Sequence, residues 1–454
     1  MEGRGMIYRT QNPHTEIFEK LYDISSETTT DTTLRSAESA SLVWSAMSFS
    51  ERAVRIRALA DGLLRRKDEF AAVMAREMGK PIGQGLAEIE KSAVLIEFYA
   101  AKAESFLSPE IIPSESSKSY ACFDSLGVVF GIMPWNFPFW QVLRFAVPAW
   151  MAGNAAVFKP APIVPECAVL LTSLCREFEV PLWHLFLEEK ATAQVMTDPR
   201  ISVISFTGSV RTGKLIAARA GLNMKKGVYE LGGSDPYLVL EDADVSRAAS
   251  ICASSRLINS GQSCVAAKRF LVHRSLKKSF EEAFVAAMNV SYGDPLTNPA
   301  LGPLARPDIR IHLADQVRSS VSQGAKLLLG GEIPDQKGYY FPPTVLTDLS
   351  TEMAVWDEET FGPVAALHYF DSDEQAIALA NDSDFGLAAA VFTADSARGE
   401  SVALKLKVGS VSVNDLTRSD PRFPFGGIKD SGMGRELGSF GIREFTNIKT
   451  VKIA

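Results

Sequence analysis

The chain has few of the residues that build metal centres and disulfide frameworks. It contains five cysteines and five histidines in 454 residues. The cysteines show no C-x-x-C spacing and the histidines no zinc-binding helical spacing, so the sequence predicts neither a metal site nor a disulfide scaffold. An odd number of unpaired cysteines is typical of a reducing compartment, and we expect a cytoplasmic protein.

Long apolar runs and an excess of basic charge are also missing. The longest apolar stretch, from Val128 to Trp140, is interrupted by Pro134 and Pro138, whereas a membrane span needs about 18 uninterrupted residues. The N-terminal residues lack the apolar core of a signal peptide. A formal net charge of −7 does not suit binding to a phosphate backbone. We therefore expect neither a membrane nor a nucleic acid as a partner.

What the sequence does have is a long alternation of strand-like and helix-like segments. Its length favours two or three domains, and its 46% apolar residues allow a large core. From Asp31 to Ala103 the pattern is helical, and from Ala121 onwards short apolar runs alternate with amphipathic helices. This alternation predicts an α/β protein with parallel sheets. The alternating segment from Ile448 to Ile453 predicts a terminal strand.

A cysteine at the end of a polar, glycine-containing segment is the first candidate for chemistry. Cys264 follows the run Asn259-Ser260-Gly261-Gln262-Ser263. A lone cysteine is more often a buried apolar side chain. The polar approach nevertheless favours an accessible thiol, which could act as a nucleophile.

Two further motifs supply partners for this cysteine. Glu230 precedes Leu231 and two glycines, and glycines allow close approach of the backbone. Its carboxylate could act as a general base for the thiol or for water, although a solvent-facing glutamate fits the same pattern. Asn136 stands between Pro134 and Pro138. Its amide belongs either to a rigid buried turn or to an oxyanion hole.

Together these motifs closely resemble the aldehyde dehydrogenase superfamily, from Asn12-Pro13 to the C-terminus. The resemblance includes Phe206-Thr207-Gly208-Ser209, Glu359-Thr360-Phe361-Gly362-Pro363, Pro424-Phe425-Gly426-Gly427 and the run from Lys429 to Glu436. It implies that Cys264 is the nucleophile that forms a thioester with the substrate. It further implies that Glu230 activates water, and that Asn136 and the backbone N–H of Cys264 stabilise the oxyanion.

The resemblance also implies a fold and a domain organisation. We expect the aldehyde dehydrogenase fold, with a Rossmann-like cofactor domain over residues 1–115 and 131–229. An α/β catalytic domain would span residues 230–416. Residues 116–130 and 435–454 would form a β oligomerisation arm, which implies a homodimer or a homotetramer.

NAD or NADP is the cofactor that the resemblance implies. The chain has no G-x-G-x-x-G fingerprint. Instead Gly208, Ser209 and Gly213 would place helix N–H groups on the pyrophosphate. The other implied cofactor-binding residues are Trp135, Lys159, Leu231, Glu359 and Phe361. Pro162 stands where many NAD-preferring members have a glutamate, and it neither accepts from a 2′-hydroxyl nor donates to a 2′-phosphate. The choice between NAD and NADP therefore stays open.

Within the superfamily the chain resembles the succinate-semialdehyde dehydrogenase group through Ser234-Asp235-Pro236. It departs from some members of that group at Ile258, which replaces a second arginine, and at Ala266, which replaces a regulatory cysteine. The resemblance implies oxidation of succinate semialdehyde to succinate through a thioester that water hydrolyses. The alternatives are another short aldehyde, transfer of the acyl group to CoA, which Glu230 disfavours, and a non-catalytic binding or structural member of the fold.

Arg144, Trp140 and Ser419 are the substrate-binding residues that this likeness implies. Trp140 and Arg144 are four residues apart and therefore share one helical face. A guanidinium can bind a carboxylate through two hydrogen bonds, so Arg144 and Ser419 would hold a small aldehyde by its carboxylate. An arginine paired with an acidic residue of its own chain is the alternative. Phe145 stands where the family often has a lysine, which puts a proton relay through Glu436 in question.

Overall fold

The computed structural model describes residues 7–454, which form strands and helices in the order that the sequence predicts. The strands are β1 (Tyr8–Gln11), β2 (Phe18–Tyr22), β3 (Glu110–Ile111), β4 (Lys118–Ser125), β5 (Val128–Ile132), β6 (Ala155–Lys159), β7 (Leu182–His184), β8 (Ile201–Thr207), β9 (Lys226–Glu230), β10 (Pro236–Val239), β11 (Arg269–His273), β12 (Lys326–Leu329), β13 (Thr344–Thr347), β14 (Val364–Phe370), β15 (Ala388–Phe392), β16 (Ser410–Val413), β17 (Gly432–Met433) and β18 (Thr446–Ile453). The helices are α1 (Glu27–Ala46), α2 (Phe49–Arg65), α3 (Lys67–Met78), α4 (Ile82–Phe106), α5 (Trp140–Met151), α6 (Pro165–Glu177), α7 (Glu189–Thr197), α8 (Val210–Leu222), α9 (Val245–Leu257), α10 (Lys277–Met288), α11 (Pro307–Ser322), α12 (Ala354–Asp357), α13 (Asp373–Asn381), α14 (Ser396–Ala403) and α15 (Gly438–Arg443).

A six-stranded sheet occupies the part of the molecule expected to bind the cofactor. Its strand order is β17-β9-β8-β5-β6-β7, and all pairs are parallel except the short antiparallel pair of β17 with β9. All residues of β5 and β6 are buried, as expected for parallel strands that helices cover on both faces. The α/β alternation predicted from the sequence is therefore present here.

A seven-stranded sheet forms the second part, with the strand order β12-β13-β14-β11-β10-β15-β16. Successive residues of β10 enter different cores: Leu238 packs with the residues of α11 and α13, whereas Tyr237 and Val239 pack with those of α9 and α10. This separation follows from the two-residue period of a strand. The sheet is thus covered by helices on both faces.

At the carboxyl ends of its strands, the six-stranded sheet adjoins the segments that lead into strands of the seven-stranded sheet. The turn from Pro134 to Asn136 follows β5, and Glu230 ends β9. On the other side, Cys264 lies shortly before β11 and Glu359 shortly before β14. Ligands of α/β proteins bind outside the carboxyl ends of parallel strands, so this junction is the expected place for the site.

A three-stranded antiparallel sheet forms an arm. Strand β18 pairs with β4 along its whole length, and β4 pairs with β3. Two bounds differ from the sequence expectation. The residues Val128 to Phe130 belong to β5 of the six-stranded sheet rather than to the arm, and α15 packs against α4 and α5 before β18 begins. Burial of β5 between helices explains the first difference, because a free arm would expose these apolar side chains.

Helices α1 to α4 form the segment that the sequence predicts to be helical, but the first of them begins earlier than expected. Ser26, rather than Asp31, caps α1, because its hydroxyl accepts a hydrogen bond from the N–H of Thr29. The helix therefore begins before Asp31, where the sequence predicts the helical pattern to start, and includes Thr28 to Thr30. Among the described residues no helix is long and apolar enough to cross a membrane.

Helices α4 and α5 are joined by a buried carboxylate that positions the site. Glu88 on α4 accepts hydrogen bonds from the backbone N–H groups of Phe139 and Trp140, at 2.9 and 3.0 Å. Negative charge at a helix N-terminus is favourable because the first N–H groups have no partner within the helix. Lys80 pairs with Glu88 and donates to the carbonyl of Asn136 at 2.8 Å. These contacts fix the turn that carries Asn136.

Candidate active site

A strained turn precedes Cys264. Asn259, Ser260 and Gly261 all have left-handed backbone angles, with φ values of 52°, 55° and 76°. A Cβ atom on Gly261 would lie 2.2 Å from the backbone of Gly362. Each non-glycine residue in this region costs of the order of 1–3 kcal/mol. Such a turn persists only because its surroundings determine it, and strain of this kind is typical of functional sites.

Hydrogen bonds from two side chains hold this turn and the segment after it. The Asn259 amide donates to the carbonyl of Asn136 at 2.8 Å. The buried ammonium of Lys268 donates to the carbonyl of Cys264 at 2.7 Å and to that of Ser263 at 3.2 Å. The cysteine backbone is therefore fixed from both sides, and a positive charge lies beside it. Sequence reasoning missed Lys268, because no motif connects it with the nucleophile.

The thiol of Cys264 is protonated at neutral pH in this environment. Burial raises its pKa to about 11, while the positive charges of Arg144 and Lys268 oppose the shift and Glu359 adds to it. Only the thiolate is a strong nucleophile. The chemistry therefore requires a group that accepts the thiol proton when the substrate binds.

The amide of Asn136 lies next to the cysteine loop. Its nitrogen donates to the carbonyl of Gln262 at 3.1 Å, and its oxygen has no hydrogen-bond partner among the described residues. Trp135, the preceding residue, packs edge-to-face on Phe361 with 5.7 Å between the ring centroids. Asn136 and Cys264 line the same cavity, and an oxyanion role for the amide stays a prediction.

Glu230 is a buried carboxyl group without a fixed partner. Neither of its side-chain oxygens has a hydrogen-bond partner among the described residues. A Cβ atom on Gly426 would lie 2.6 Å from one of these oxygens, so the glycine leaves the room that the carboxyl group occupies. Burial and the charge of Glu436 raise its pKa well above the usual value, opposed by Arg144 and Arg435. The protonated form of Glu230 is therefore more favourable than that of a solvent-exposed glutamate.

Arg144 forms an ion pair with Glu436, and both side chains are buried. The guanidinium also lies over the ring of Phe425, 4.8 Å from its centroid. Burial raises the pKa of Glu436, and Arg144 opposes that shift. This is the alternative that the sequence left open, an arginine that meets an acidic residue of its own chain. It removes the argument that Arg144 needs a substrate carboxylate, and a substrate-binding role for Arg144 stays a prediction.

The ion pair leads to a prediction about stability. Arg144→Met leaves Glu436 buried without its partner, so we expect the free energy of unfolding in urea to fall by about 3 kcal/mol. The double variant Arg144→Met/Glu436→Gln should recover most of this loss, because it removes both charges. A stable single variant that loses activity only on anionic aldehydes would instead identify Arg144 as a substrate ligand.

Six of the eight residues expected to bind the cofactor line one cavity of about 260 Å³ beside Cys264. These are Trp135, Gly208, Ser209, Leu231, Glu359 and Phe361. The hydroxyl of Thr207, at its wall, is buried and has no hydrogen-bond partner among the described residues. Gly213 lies below, where a Cβ atom would be 2.3 Å from the Leu231 side chain. The free hydroxyl and the glycine-lined wall fit a nicotinamide nucleotide.

The two glycines after Leu231 allow the carboxylate of Glu359 to approach the backbone. The N–H of Gly233 donates to Glu359 at 3.0 Å, and a Cβ atom on Gly232 would lie 2.5 Å from its other oxygen. Lys268 also lies 3.6 Å from the carboxylate. The close backbone approach expected from the glycine pair is therefore explained by Glu359.

Lys159 lines a second, larger cavity of about 410 Å³ near the start of α8. Arg211 and Arg219 line the same cavity, and Glu189 is its acidic residue. Burial lowers the pKa of Lys159 to about 8. The excess of positive charge makes this cavity suitable for the phosphate-bearing end of a dinucleotide.

A third cavity, of about 330 Å³, lies on the other side of the Asn136 turn, with Phe137 and Trp140 in its wall. Lys91 also lines it and donates to the hydroxyl of Ser419 at 2.8 Å. Lys91 thus connects Trp140 with Ser419, while neither Ser419 nor Arg144 is among the residues that line this cavity. The sequence analysis missed Lys91, because α4 is remote in sequence from the other motifs.

Within residues 7–454 no group of three or more histidines, cysteines, aspartates or glutamates is arranged to hold a metal ion.

Known proteins match this chain over almost its whole length. The model of the aldehyde dehydrogenase family matches residues 2–451. A Synechocystis protein named as a probable NADP+ succinate-semialdehyde dehydrogenase is 44% identical over 411 residues, which are 89% of this chain and 90% of that protein. An Escherichia coli (strain K12) protein named as an NAD(P)+ succinate semialdehyde dehydrogenase is 44% identical over 414 residues, 90% and 89% of the two chains.

Solved structures agree with these matches. The succinic semialdehyde dehydrogenase of Streptococcus pyogenes, crystallised with NADP+, superposes with a TM-score of 0.96 at 33% identity, covering 98% of this chain and 99% of the other. The predictions of the fold class, of an aldehyde-oxidising enzyme and of NAD or NADP as its cofactor are confirmed. With the cysteine, glutamate and asparagine of the family's motifs gathered at one junction between two α/β sheets, the chain belongs to the aldehyde dehydrogenase family.

Proposed function

We propose that the protein oxidises succinate semialdehyde to succinate with NADP or NAD, and that water releases the product from a thioester on Cys264. The choice of substrate rests on the cavity beside Trp140, where the ammonium of Lys91 donates a hydrogen bond to the hydroxyl of Ser419. A positive charge at the end of an otherwise largely apolar cavity suits a short aldehyde with a carboxylate at its far end. Relatives named for this substrate support the proposal.

In the proposed mechanism the thiol of Cys264 first gives its proton to water, and the resulting thiolate attacks the aldehyde carbon. The amide of Asn136 and the backbone N–H of Cys264 stabilise the resulting oxyanion, and one such donor is typically worth about 3 kcal/mol. The oxidised nicotinamide, when bound, supplies the acceptor for the hydride that leaves the former aldehyde carbon. The product of this step is a thioester on Cys264.

Glu230 then accepts a proton from the water that hydrolyses the thioester. Burial raises its pKa, whereas the charges of Arg144 and Arg435 favour the carboxylate form that accepts this proton. A carboxylic acid with a raised pKa is suited to general acid–base chemistry. Glu230 therefore acts on the water, after the thioester has formed.

A substrate panel tests this function. Wild-type enzyme should oxidise succinate semialdehyde with a higher kcat/KM than uncharged aldehydes of the same length, followed by NAD(P)H absorbance at 340 nm. Addition of CoA should change neither the rate nor the product, because Glu230 supports hydrolysis. Formation of succinyl-CoA in this assay would identify an acylating enzyme instead.

Pro162 leads to a prediction about the choice of cofactor. Pro162→Glu would add a carboxylate that accepts from a ribose 2′-hydroxyl and repels a 2′-phosphate, so the ratio of kcat/KM for NAD over NADP should rise about 10-fold or more. Because Lys159, Arg211 and Arg219 line the nearby cavity, wild-type enzyme should accept NADP readily. An unchanged ratio in the variant would mean that these cations decide the choice.

The arm supports a proposal about assembly. Strand β18 pairs with β4 on one side, and most of its residues are exposed, including Ile448 and Ile453. Exposed strand edges and apolar side chains favour pairing with another chain. We expect a homodimer or homotetramer in the cytoplasm, which analytical ultracentrifugation of the purified protein and of a chain ending before Thr446 would test.

A further inference from the structure

We propose that Lys91 binds the distal carboxylate of the substrate and thereby gives the enzyme its preference for anionic aldehydes. This inference rests on the proposed function and names the residue that recognises the substrate. Neither the motifs nor the family resemblance points to Lys91. Lys91 lines the cavity beside Trp140, contacts the Trp140 ring and the Ser419 hydroxyl, and has no acidic ion-pair partner among the described residues.

The ammonium of Lys91 is held in place but is not neutralised. It lies 4.0 Å from the centroid of the Trp140 ring and donates to Ser419 at 2.8 Å. The carboxylate about one turn earlier on its helix, Glu88, is already paired with Lys80 and with the start of α5. Among the described residues no acidic side chain forms an ion pair with Lys91. The aromatic face and the hydroxyl thus orient a cation that still lacks an anion.

Lys91 is also largely withdrawn from water. Burial lowers its pKa to about 7, the positive charges of Arg144 and Arg418 lower it further, and Glu88 and Asp420 oppose them. A buried cation without a counter-ion is unfavourable, and an incoming anion relieves this cost. A carboxylate that binds beside Lys91 should therefore both gain an ion pair and keep the lysine protonated.

The position of the cavity matches the geometry of the reaction. Phe137 and Trp140 line the cavity of Lys91, whereas Asn136, Gln141 and Cys264 line the nicotinamide cavity, so a single turn separates the two. A substrate whose aldehyde carbon meets Cys264 must extend away from the nicotinamide. The cavity beyond this turn provides that space.

Lys91 supplies the positive charge in a wall whose other residues are apolar, neutral polar or, at Glu88, acidic. Leu257, Ile258 and Ala300 line the cavity beside the two aromatic rings, and Glu88 is its acidic residue. Among the described residues that line this cavity, Lys91 is the only cation. An anionic substrate end therefore has one favourable place to bind, next to the ammonium and the Ser419 hydroxyl.

Matched substrates and variants test this inference. Lys91→Met removes the charge at nearly constant length, and 4-methylpentanal replaces the carboxylate oxygens of succinate semialdehyde by methyl groups. We expect Lys91→Met to lower kcat/KM for succinate semialdehyde about 30-fold or more and to change that for 4-methylpentanal less than about 3-fold. Lys91→Arg should retain most of the preference. Lys102→Met is the control, because Lys102 is an exposed lysine on the same helix.

Two further measurements separate binding from a structural effect. The inhibition constant of succinate should rise in Lys91→Met and stay close to wild type in Lys91→Arg. In wild type, kcat/KM for succinate semialdehyde relative to 4-methylpentanal should fall as the pH rises above about 7, because free Lys91 loses its proton. The same ratio should be flat in Lys91→Arg, whose guanidinium stays charged.

The outcomes distinguish the two proposals. If wild-type enzyme shows no preference for succinate semialdehyde over 4-methylpentanal, the proposed function is wrong. If wild type shows the preference but Lys91→Met loses equal activity on both aldehydes, Lys91 is structural and this inference alone is overturned.

Discussion

Replacing Cys264 by alanine is expected to lower kcat by at least about 10⁴-fold. The thioester cannot form without the sulfur, and no other cysteine is in the cavity beside Asn136 among the described residues. The fold should survive, because alanine fits the same backbone angles and only one partly exposed sulfur is lost. The measurements are steady-state NAD(P)H formation, the thermal midpoint and NADP binding by calorimetry.

Cys122→Ala is the matched control, because Cys122 is also a partly exposed free cysteine and lies on β4 of the arm. This variant loses one sulfur in the same way, and we expect it to keep wild-type activity. If Cys264→Ala retained more than a few per cent of the parent rate with normal cofactor binding, another group would have to be the nucleophile.

Replacing Glu230 by glutamine should slow turnover about 10²- to 10⁴-fold, mainly at release of the product. The amide cannot accept a proton from water, so the thioester should accumulate. In stopped-flow experiments we expect a burst of about one NAD(P)H per active site, followed by a stall. Mass spectrometry of the quenched enzyme should show the acyl group on Cys264.

Loss of the burst itself would mean that Glu230 is needed to take the thiol proton. This outcome is informative, because the pKa of Cys264 is about 11 and some base must ionise it. Glu77→Gln is the matched control. Glu77 is an equally buried glutamate, but it accepts hydrogen bonds from Thr10 and from the first N–H groups of α6, and we expect a normal burst.

Local sequence was sufficient for most secondary-structure elements. Strand β15 is a continuous apolar run of the kind that the sequence predicts for a parallel strand, because a strand covered by helices on both faces is buried throughout. The start of α1 differed by several residues, since both Ser26 and Asp31 can cap a helix and packing selected Ser26. The family motifs likewise placed Cys264, Glu230 and Asn136 among the candidate catalytic residues.

The ion-pair partner of Arg144 could not be predicted from the sequence. Its spacing from Asn136 and its helical face were readable, but its partner was not, because Glu436 lies nearly 300 residues further along the chain. A buried guanidinium needs an anion, and sequence cannot tell whether the chain or the substrate supplies it. The fold supplied it through the loop that follows β17.

Local sequence is sufficient for the periodicity of the elements and for the residue types in the motifs, and hence for the reaction. Which charged groups meet depends on the folded chain. Glu436 reaches Arg144, Lys268 reaches the carbonyl of Cys264, and Lys91 faces Ser419 without an acidic partner. The physical reason is that periodicity is a local property of the chain, whereas the free energy of a buried charge depends on groups that are distant in sequence and close in space.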